Sequence, residues 1–324
     1  MIRLPRRSLL CALVLGALSP MAWSQVDNFP NRPIKLVVNF PPGGNADITA
    51  RLFGKKFSEV LKTPVVVDNK GGAGGTIGAD AVAKAEPDGY TLLLTPYSIL
   101  TNKNPTLKLP YNPVEDFVPV TAVTIAPLAF TVSAESKIKS LADLAAFSKN
   151  NRLSYGTYGP MTTTHIGQHR LAQHVHAKDA LAIAYRGEAP MLGDFLGGQI
   201  QMGAMSLASA RENEKTGKVH ILGITGPTRS EFLPNVPTFK ELGVKGMDWI
   251  DGVVVFASSK TPPAILARLQ AAGKQVMQDE ATLKAFRAQP NQPWLDITPS
   301  AMKAQMASDT AFWDKAQLEV GDAK

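Results

Sequence analysis

The chain has 324 residues, of which 44% are hydrophobic and 19% are charged, and its formal net charge is +7. This length can bury a large core and predicts two domains. No run of five or more basic residues occurs, so the sequence gives no indication of a nucleic-acid partner.

Residues 1–24 have the pattern of a secretory signal peptide. Three arginines in the first seven residues are followed by an apolar stretch at 9–18 that is too short to span a bilayer. Ala22, Trp23 and Ser24 then form a cleavage site of the small-x-small type. We exclude this segment from the fold and predict a periplasmic protein, exported by the Sec route in preference to the twin-arginine route.

Cys11 is the single cysteine and lies inside this leader. The mature chain therefore has no disulfide, no thiolate nucleophile and no cysteine ligand for a metal. Without the three leader arginines, the formal charge falls to +4, which suits a small anionic ligand.

The first elements alternate between strands and helices. Apolar runs at 34–40, 64–68 and 90–95 predict short buried strands, and helical patterns at 46–61 and 76–84 lie between them. This βαβ order implies a parallel sheet.

A second set of elements follows at 128–225, and the tail ends in two helices, at 263–277 and from 299 onward. The second set consists of strands at 128–132, 153–156, 181–185 and 219–225, with helices at 141–149, 162–175 and 191–196.

Two segments are the natural places for the chain to cross between domains: 111–123 and 221–230. We predict an α/β protein of two lobes, each a sheet flanked by helices, with a hinge of two crossings and a cleft between the lobes. The predicted first lobe is discontinuous, with residues 25–123 and 227–324, and the second lobe spans 124–226.

The sequence does not match three familiar catalytic or cofactor-binding patterns. The glycines of 71–78 lack the GxGxxG spacing of a dinucleotide site. His165 and His169 are four residues apart on one predicted helix face, but no HExxH glutamate and no third zinc ligand accompany them. No GxSxG nucleophile elbow exists. We therefore predict no cofactor, no metal and no catalytic residues.

Four loops that follow predicted strands share one property: they carry Gly, Thr, Ser, Asn or Tyr, and few acids. These loops are 40–47, 95–98, 157–165 and 185–187. N–H and hydroxyl donors at helix N-termini suit a carboxylate, and ligands of open α/β sheets lie beyond the carboxyl ends of the strands. The alternative is ordinary helix capping by Asp47 and Thr162.

Several stretches resemble one known family. "RPIKLVVNFPPGGNADITARL", "VVVDNKGGAGGTIGADAVAKAEPDGYTLLL", "LPYNPVEDFVPV" and "FLGGQIQ…TGKVHILGIT" closely resemble the extracytoplasmic solute receptors of tripartite tricarboxylate transporters, the Bug proteins. The resemblance runs from about Phe29 to the C-terminus.

The resemblance implies a two-lobed periplasmic binding protein, monomeric, that captures a small carboxylate for the membrane subunits of such a transporter. It implies that loops 41–47 and 157–165 face each other and hold the carboxylate through amides, hydroxyls and ordered water. The ligand-binding residues expected on these grounds are Phe40, Gly43, Gly44, Asn45, Asp47, Thr95, Ser98, Thr157, Thr162, Thr163, His165, Tyr185, Arg186, Met205 and Ser206.

Departures from the family pattern bear on the ligand. Ala204-Met205 stands where the family commonly has Phe-Asp, and methionine cannot receive an ammonium group. Arg186 offers a fork for a second carboxylate, and Met161 and Met205 offer adaptable apolar contacts. We therefore expect a dicarboxylate, including aromatic ones, and not an amino acid. The alternatives are a surface ion pair for Arg186 and core packing for Met205.

Two other functions remain open at this stage. One is a periplasmic enzyme on the same fold, using His165 with Asp47. The other is a sensory role known in the family, in which the loaded receptor docks on a membrane signalling protein.

Overall fold

The computed structural model describes residues 28–101, 108–177 and 179–321. The predicted signal peptide, with Cys11, lies outside these residues. The described chain forms two mixed sheets flanked by helices, so the predicted α/β class with two lobes is confirmed.

The helices and strands have the following bounds. The strands are β1 (Ile34–Val38), β2 (Val65–Asn69), β3 (Thr91–Pro96), β4 (Phe117–Ala126), β5 (Leu128–Ser133), β6 (Ser154–Thr157), β7 (Leu181–Ala184), β8 (Met202–Ser206), β9 (Val219–Ile224), β10 (Asp251–Ser258) and β11 (Gln292–Pro293). The α-helices are α1 (Asn45–Leu61), α2 (Thr76–Ala83), α3 (Ser98–Thr101), α4 (Leu141–Ser148), α5 (Thr163–His174), α6 (Glu188–Leu196), α7 (Leu207–Lys215), α8 (Pro263–Val276), α9 (Glu280–Ala288) and α10 (Pro299–Gly321).

The first sheet has the strand order β11-β4-β10-β3-β1-β2. β1 pairs in parallel with β2 and β3, as the βαβ pattern predicts, whereas β10 pairs antiparallel with β3 and β4. The apolar face of α1, including Phe53 and Phe57, packs on this sheet in the larger of its two cores. The parallel strands end at the same edge, which places the loops after β1 and β3 side by side.

The second sheet has the order β7-β6-β8-β5-β9. β6 is parallel to β7 and β8, while β5 runs antiparallel to β8 and β9. Phe130 of β5 is fully buried and meets Phe239 edge-on, with the ring centroids 5.2 Å apart. The loops after β6 and β8 therefore share one edge of this sheet, as those after β1 and β3 do in the first.

The structure differs from the sequence prediction at the outgoing crossing. Most of the predicted crossing at 111–123 belongs to β4, a ten-residue strand that lies between β11 and β10 in the first sheet. The chain passes between sheets at Pro127, the residue between β4 and β5. The segment resembles a linker because it contains Asn112, Pro113 and Pro119, but long-range pairing with β10 makes it a strand.

The return to the first sheet also differs. The prediction assigned residues from 227 onward to the first lobe, but Leu233, Val236, Phe239, Val244 and Met247 are buried in the cores of the second sheet. The prolines and glycines of this stretch suggested a linker, while its scattered apolar residues pack against β5, β8 and β9. The chain rejoins the first sheet only at β10, which begins at Asp251.

The long C-terminal helix α10 contacts both halves of the molecule. Met302 and Met306 pack with Phe256 in a core of the first sheet. Farther along, Trp313 packs with Ile166 of α5 in a cluster that bridges to the second half. No helix within the described ranges is both long and apolar enough to cross a bilayer.

Candidate functional site

A cavity of about 100 Å³ lies between the two sheets. Its wall comes from both halves of the molecule and from both crossings, so it is the cleft that the two-lobed fold predicts. The wall residues are Phe40, Pro41, Gly44, Asn45, Ala46, Pro96, Ser98, Ile99, Thr124, Ala126, Pro127, Leu128, Tyr158, Thr162, Thr163, Thr164, Glu188, Ala189, Ser206, Asp251, Gly252, Val253 and Asn291.

Four helices of eight or more residues begin at this wall: α1, α5, α6 and α7. The first N–H groups of a helix have no partner within the helix and carry its partial positive charge. No side chain caps α1, α5 or α6, whose N-cap residues are Gly44, Thr162 and Gly187. Only α7 is capped, by the hydroxyl of Ser206. The cavity is therefore bordered by main-chain donors suited to an anion.

Thr162 does not cap its own helix, so the capping interpretation does not hold for it. Its hydroxyl donates to the carbonyl of Gly159 at 2.8 Å and lies 3.0 Å from the Thr164 hydroxyl. Asp47 behaves differently: its Oδ2 accepts from the N–H of Gly43 at 3.0 Å, and its carboxylate pairs with Arg51. Asp47 thus fixes the loop before α1 and does not line the cavity.

Glu188 is the first residue of α6 and brings a carboxyl group to the wall. Its Oε1 accepts from the Ser206 hydroxyl at 2.9 Å, and its Oε2 accepts from the Ser206 N–H at 3.1 Å. Tyr158 donates its hydroxyl to the carbonyl of Ala204 at 2.7 Å and lies 3.4 Å from Glu188 Oε2. Burial raises the pKa of Glu188 above its ordinary value, and the bonds from Ser206 oppose that shift.

Asp251 brings a second carboxyl group, from the first residue of β10. Its Oδ2 accepts from the hydroxyl of Ser98, and its Oδ1 accepts from the N–H of Gly252 at 2.9 Å. Burial raises the pKa of Asp251 to about 6, against the lowering effect of these bonds and with a small contribution from Asp309. Asp251 is therefore mostly ionised at neutral pH.

Seven of the residues expected from the sequence lie on the wall. Phe40, Gly44 and Asn45 come from the loop after β1 and the start of α1, and Asn45 Oδ1 accepts from Asn291 Nδ2 at 2.7 Å. The other four are Ser98, Thr162, Thr163 and Ser206. Six of the seven follow the carboxyl end of a predicted strand, which is the property from which they were predicted, whereas Ser206 is the last residue of β8 and was expected from the family resemblance alone.

The structure places the remaining eight expected residues off the wall. Thr95 and Thr157 are buried, with their hydroxyls near the oxygens of Pro96 and Gly159. Gly43 donates its N–H to Asp47. Tyr185 donates its hydroxyl to Asp194 at 2.9 Å.

Met205 has the core packing that the sequence left as its alternative, whereas of the surface ion pair considered for Arg186 the structure shows only the exposure. Arg186 is exposed, and Met205 is 0% exposed within a core of the second sheet. β8 is buried along its whole length, so its alternation of residues gave no indication of which side chains face the cleft. Met161 lies in a smaller neighbouring cavity of about 20 Å³.

His165 and Asp47, the pair considered for an enzyme, have different partners. His165 Nδ1 accepts from the N–H of Met161 at 3.0 Å. Burial, helped by His169, lowers the pKa of His165 to about 4, so the ring is neutral at neutral pH. Within the described chain, no group of three or more His, Cys, Asp or Glu residues is arranged to hold a metal ion.

The sequence analysis missed Glu188, Asp251, Tyr158 and Asn291. Glu188 follows the predicted loop 185–187 by one position, at a helix start where an acid is common, and could have been included on that ground. Asp251 and Asn291 gave no such indication, because their segments were not recognised as parts of the first sheet. The expectation that the cleft loops carry few acids thus omitted the two carboxyl groups on the wall.

The two halves touch beside the cavity through glycines. A Cβ atom on Gly159 would lie 3.0 Å from the Cα of Gly74, and one on Gly187 would lie 3.1 Å from Cδ of Pro41. Gly159 and Gly187 follow β6 and β7 of the second sheet, whereas Pro41 and Gly74 precede α1 and α2 of the first. The approach of Gly159 to Gly74 is between main-chain atoms, whereas Gly187 lies against the ring of Pro41.

Comparison with known proteins yields one consistent group of relatives. A family model described as "Tripartite tricarboxylate transporter family receptor" matches residues 49–316. Protein BugT of Bordetella pertussis is 32% identical over 304 residues, which cover 91% of each chain.

Two solved structures have the same fold over nearly their whole length. The periplasmic binding protein BugD gives a TM-score of 0.85 at 28% identity, covering 90% of this chain and 99% of that one. MatC from Rhodopseudomonas palustris, solved with bound malate, gives 0.82 at 25% identity, covering 89% and 100%.

Proposed function

The chain belongs to the tripartite tricarboxylate transporter receptor family, and from that membership we propose that it is a periplasmic receptor for a small carboxylate. In this role it captures the solute between its lobes and delivers it to the membrane subunits of a transporter of that type. The observation that carries the proposal is the cavity between the sheets, where α1, α5 and α6 begin without side-chain caps.

The physical basis is recognition of an anion by neutral donors. Main-chain N–H groups and hydroxyls bind a carboxylate without burying a full positive charge beside it. Closure of the lobes on the solute is then a shift between two states, driven by the extra contacts of the closed one.

A receptor returns its solute unchanged, which separates this proposal from an enzyme. The neutral His165 and the ion-paired Asp47 each have other partners, which supports a binding role. Incubation of a bound carboxylate with the protein, followed by mass spectrometry, should recover it unaltered.

The observations on the finer ligand class disagree: two favour a dicarboxylate, and one does not. The sequence favours a dicarboxylate, including aromatic ones, and MatC, whose structure holds malate, supports that class. The second carboxylate was assigned to Arg186, which is exposed and off the wall.

A pair of substitutions at Thr163 tests the main-chain donors. Thr163 is the first residue of α5, where proline is well tolerated, and the preceding Thr162 has the extended backbone (φ −71°, ψ 164°) that a following proline requires. Thr163→Pro removes one N–H group at the cavity, whereas Thr163→Ala keeps it. We expect Thr163→Pro to bind the carboxylate about tenfold more weakly than Thr163→Ala, as for a lost bond to a charged group of about 1.5 kcal/mol.

The measurement is thermal-shift screening of a carboxylate library, followed by titration calorimetry of each solute that raises the melting temperature. Similar melting temperatures of the two free variants establish that the helix is intact. Equal affinity of both variants for the solute, or a library without any bound carboxylate, would contradict the proposal.

A further inference from the structure

The charged side chains on the described cavity wall are all acidic. Among the 23 wall residues in the described part of the chain, Glu188 and Asp251 carry carboxyl groups, and none is lysine, arginine or histidine. Glu188 comes from the second sheet's half and Asp251 from the first sheet, so each lobe contributes one acid. A solute held between the lobes meets both.

Neither carboxyl group has a cationic hydrogen-bond partner within the described ranges. Glu188 accepts from the hydroxyl and N–H of Ser206 and from the hydroxyls of Ser209 and Tyr158, and Asp251 accepts from the hydroxyl and N–H of Ser98 and from the N–H of Gly252. These bonds orient both groups while leaving their negative charge unneutralised. A carboxylate has about four acceptor sites, so Asp251, with three donors, can accept one more, whereas Glu188, with about four, acts on a solute chiefly through its charge.

A second carboxylate on the solute would be costly at such a wall. Two solute carboxylates and two protein carboxylates would share a small cavity to which residues 28–101, 108–177 and 179–321 bring no positive side chain, and like charges at short range oppose one another. A positively charged nitrogen would instead neutralise the charge of both protein groups and donate to the remaining acceptor site of Asp251.

The sequence argued against an amino acid because Met205 replaces a family aspartate. In the structure, Met205 lies wholly inside the core of the second sheet, so its identity does not set the charge of the cavity. Glu188 and Asp251 supply the negative charge that Met205 does not.

We infer that the solute is a zwitterion: its carboxylate is bound at the N-termini of α1 and α5, and Glu188 and Asp251 bind a cationic nitrogen on the same molecule. This inference rests on the proposed receptor function and narrows its ligand class to amino-acid-like compounds.

Matched pairs of probes test the inference by calorimetry on the full mature chain. Each pair differs by one amino group: L-aspartate against succinate, L-alanine against propionate, and 4-aminobutyrate against butyrate. We expect at least one amino compound to bind ten or more times tighter than its partner.

The variants Glu188→Gln and Asp251→Asn should each weaken that amino compound tenfold or more. The amide keeps the acceptor oxygen but removes the charge, and thermal melting of the free variants checks folding. Glu212→Gln, at an exposed position on α7, is the control and should leave affinity unchanged.

The outcomes separate the two claims. Binding of the amine-free acids alone, or amino-compound affinity that neither Glu188→Gln nor Asp251→Asn reduces, overturns the zwitterion inference and leaves the receptor function in place. Binding of none of the six probes, nor of any other carboxylate in the library, overturns both.

Discussion

Asp251 places an ionisable group in the cavity wall at the start of β10, where burial raises its pKa to about 6. An unfolded chain releases this proton near pH 4, the ordinary range for aspartate. Between about pH 4 and pH 6 the native state therefore holds more protons than the unfolded state. The contribution of Asp251 to the free energy of unfolding falls as pH rises through this window.

We expect Asp251→Asn to remove this dependence. Relative to the parent chain, the variant should gain stability from pH 4 to pH 6.5 by about 2 kcal/mol and then level off. Urea unfolding at half-unit pH steps measures the difference. The exposed Asp296→Asn is the control, and a difference for Asp251→Asn that is flat with pH would show that the carboxyl is not shifted upward.

Residues at strand ends were the part of the site that the sequence could predict. Phe40, Asn45, Ser98 and Thr162 all lie just beyond a strand's carboxyl end, and parallel pairing brings such ends to one edge. Asp251 starts an antiparallel strand, so its place depends on long-range pairing with β3 and β4 that no local pattern encodes.

At the scale of elements, α5 lies close against the second sheet because of one glycine. Gly167 lies inside α5, and a Cβ atom there would be 2.5 Å from Cζ of the buried Phe130 and 3.3 Å from Cε of Met247. Gly193 of α6 has no atom within 4 Å of its Cβ position. The two helices thus carry the same residue for different reasons.

We expect opposite effects from alanine at these two positions. Gly167→Ala should lower the free energy of unfolding by about 1–3 kcal/mol through overpacking against Phe130. Gly193→Ala should raise it by about 0.5–1 kcal/mol through better helix propensity. Urea denaturation of both variants measures this, and stabilisation by Gly167→Ala would refute the close packing.

The local elements α1, α2, α4, α5 and α8 were predicted to within two residues at each end, because their apolar spacing and first residues are local properties. β4, β8 and β10 were not assigned as strands. β4 carries Pro119, and β8 carries Gly203 between apolar neighbours, so neither shows simple alternation. Their pairing partners are far away in sequence, and only the assembled sheets define them.

At the scale of the whole molecule, the contact of Gly159 with Gly74 sets how closely the halves approach. Gly159 has φ +134°, and a methyl group there would press on the main chain of Gly74. We expect Gly159→Ala to weaken solute binding several-fold and to leave the loaded protein with a larger radius of gyration in X-ray scattering.

Gly217→Ala is the control for backbone strain without a steric contact. Gly217 also has a positive φ, +70°, but has open space around it. The two variants should lose stability, while only Gly159→Ala loses affinity. Equal affinities would mean that the glycine contact does not belong to the loaded state.

Helix α10 packs on the first sheet through Met302 and Met306 and reaches the second half through Trp313, whose ring centroid lies 5.5 Å from that of Trp249. Any parting of the halves must therefore disturb this indole pair or the helix that carries it. The intrinsic tryptophan fluorescence of the protein should therefore change in wavelength or intensity as solute is added, without an attached dye. Trp313→Phe should abolish this fluorescence change, while titration calorimetry still detects binding of the solute.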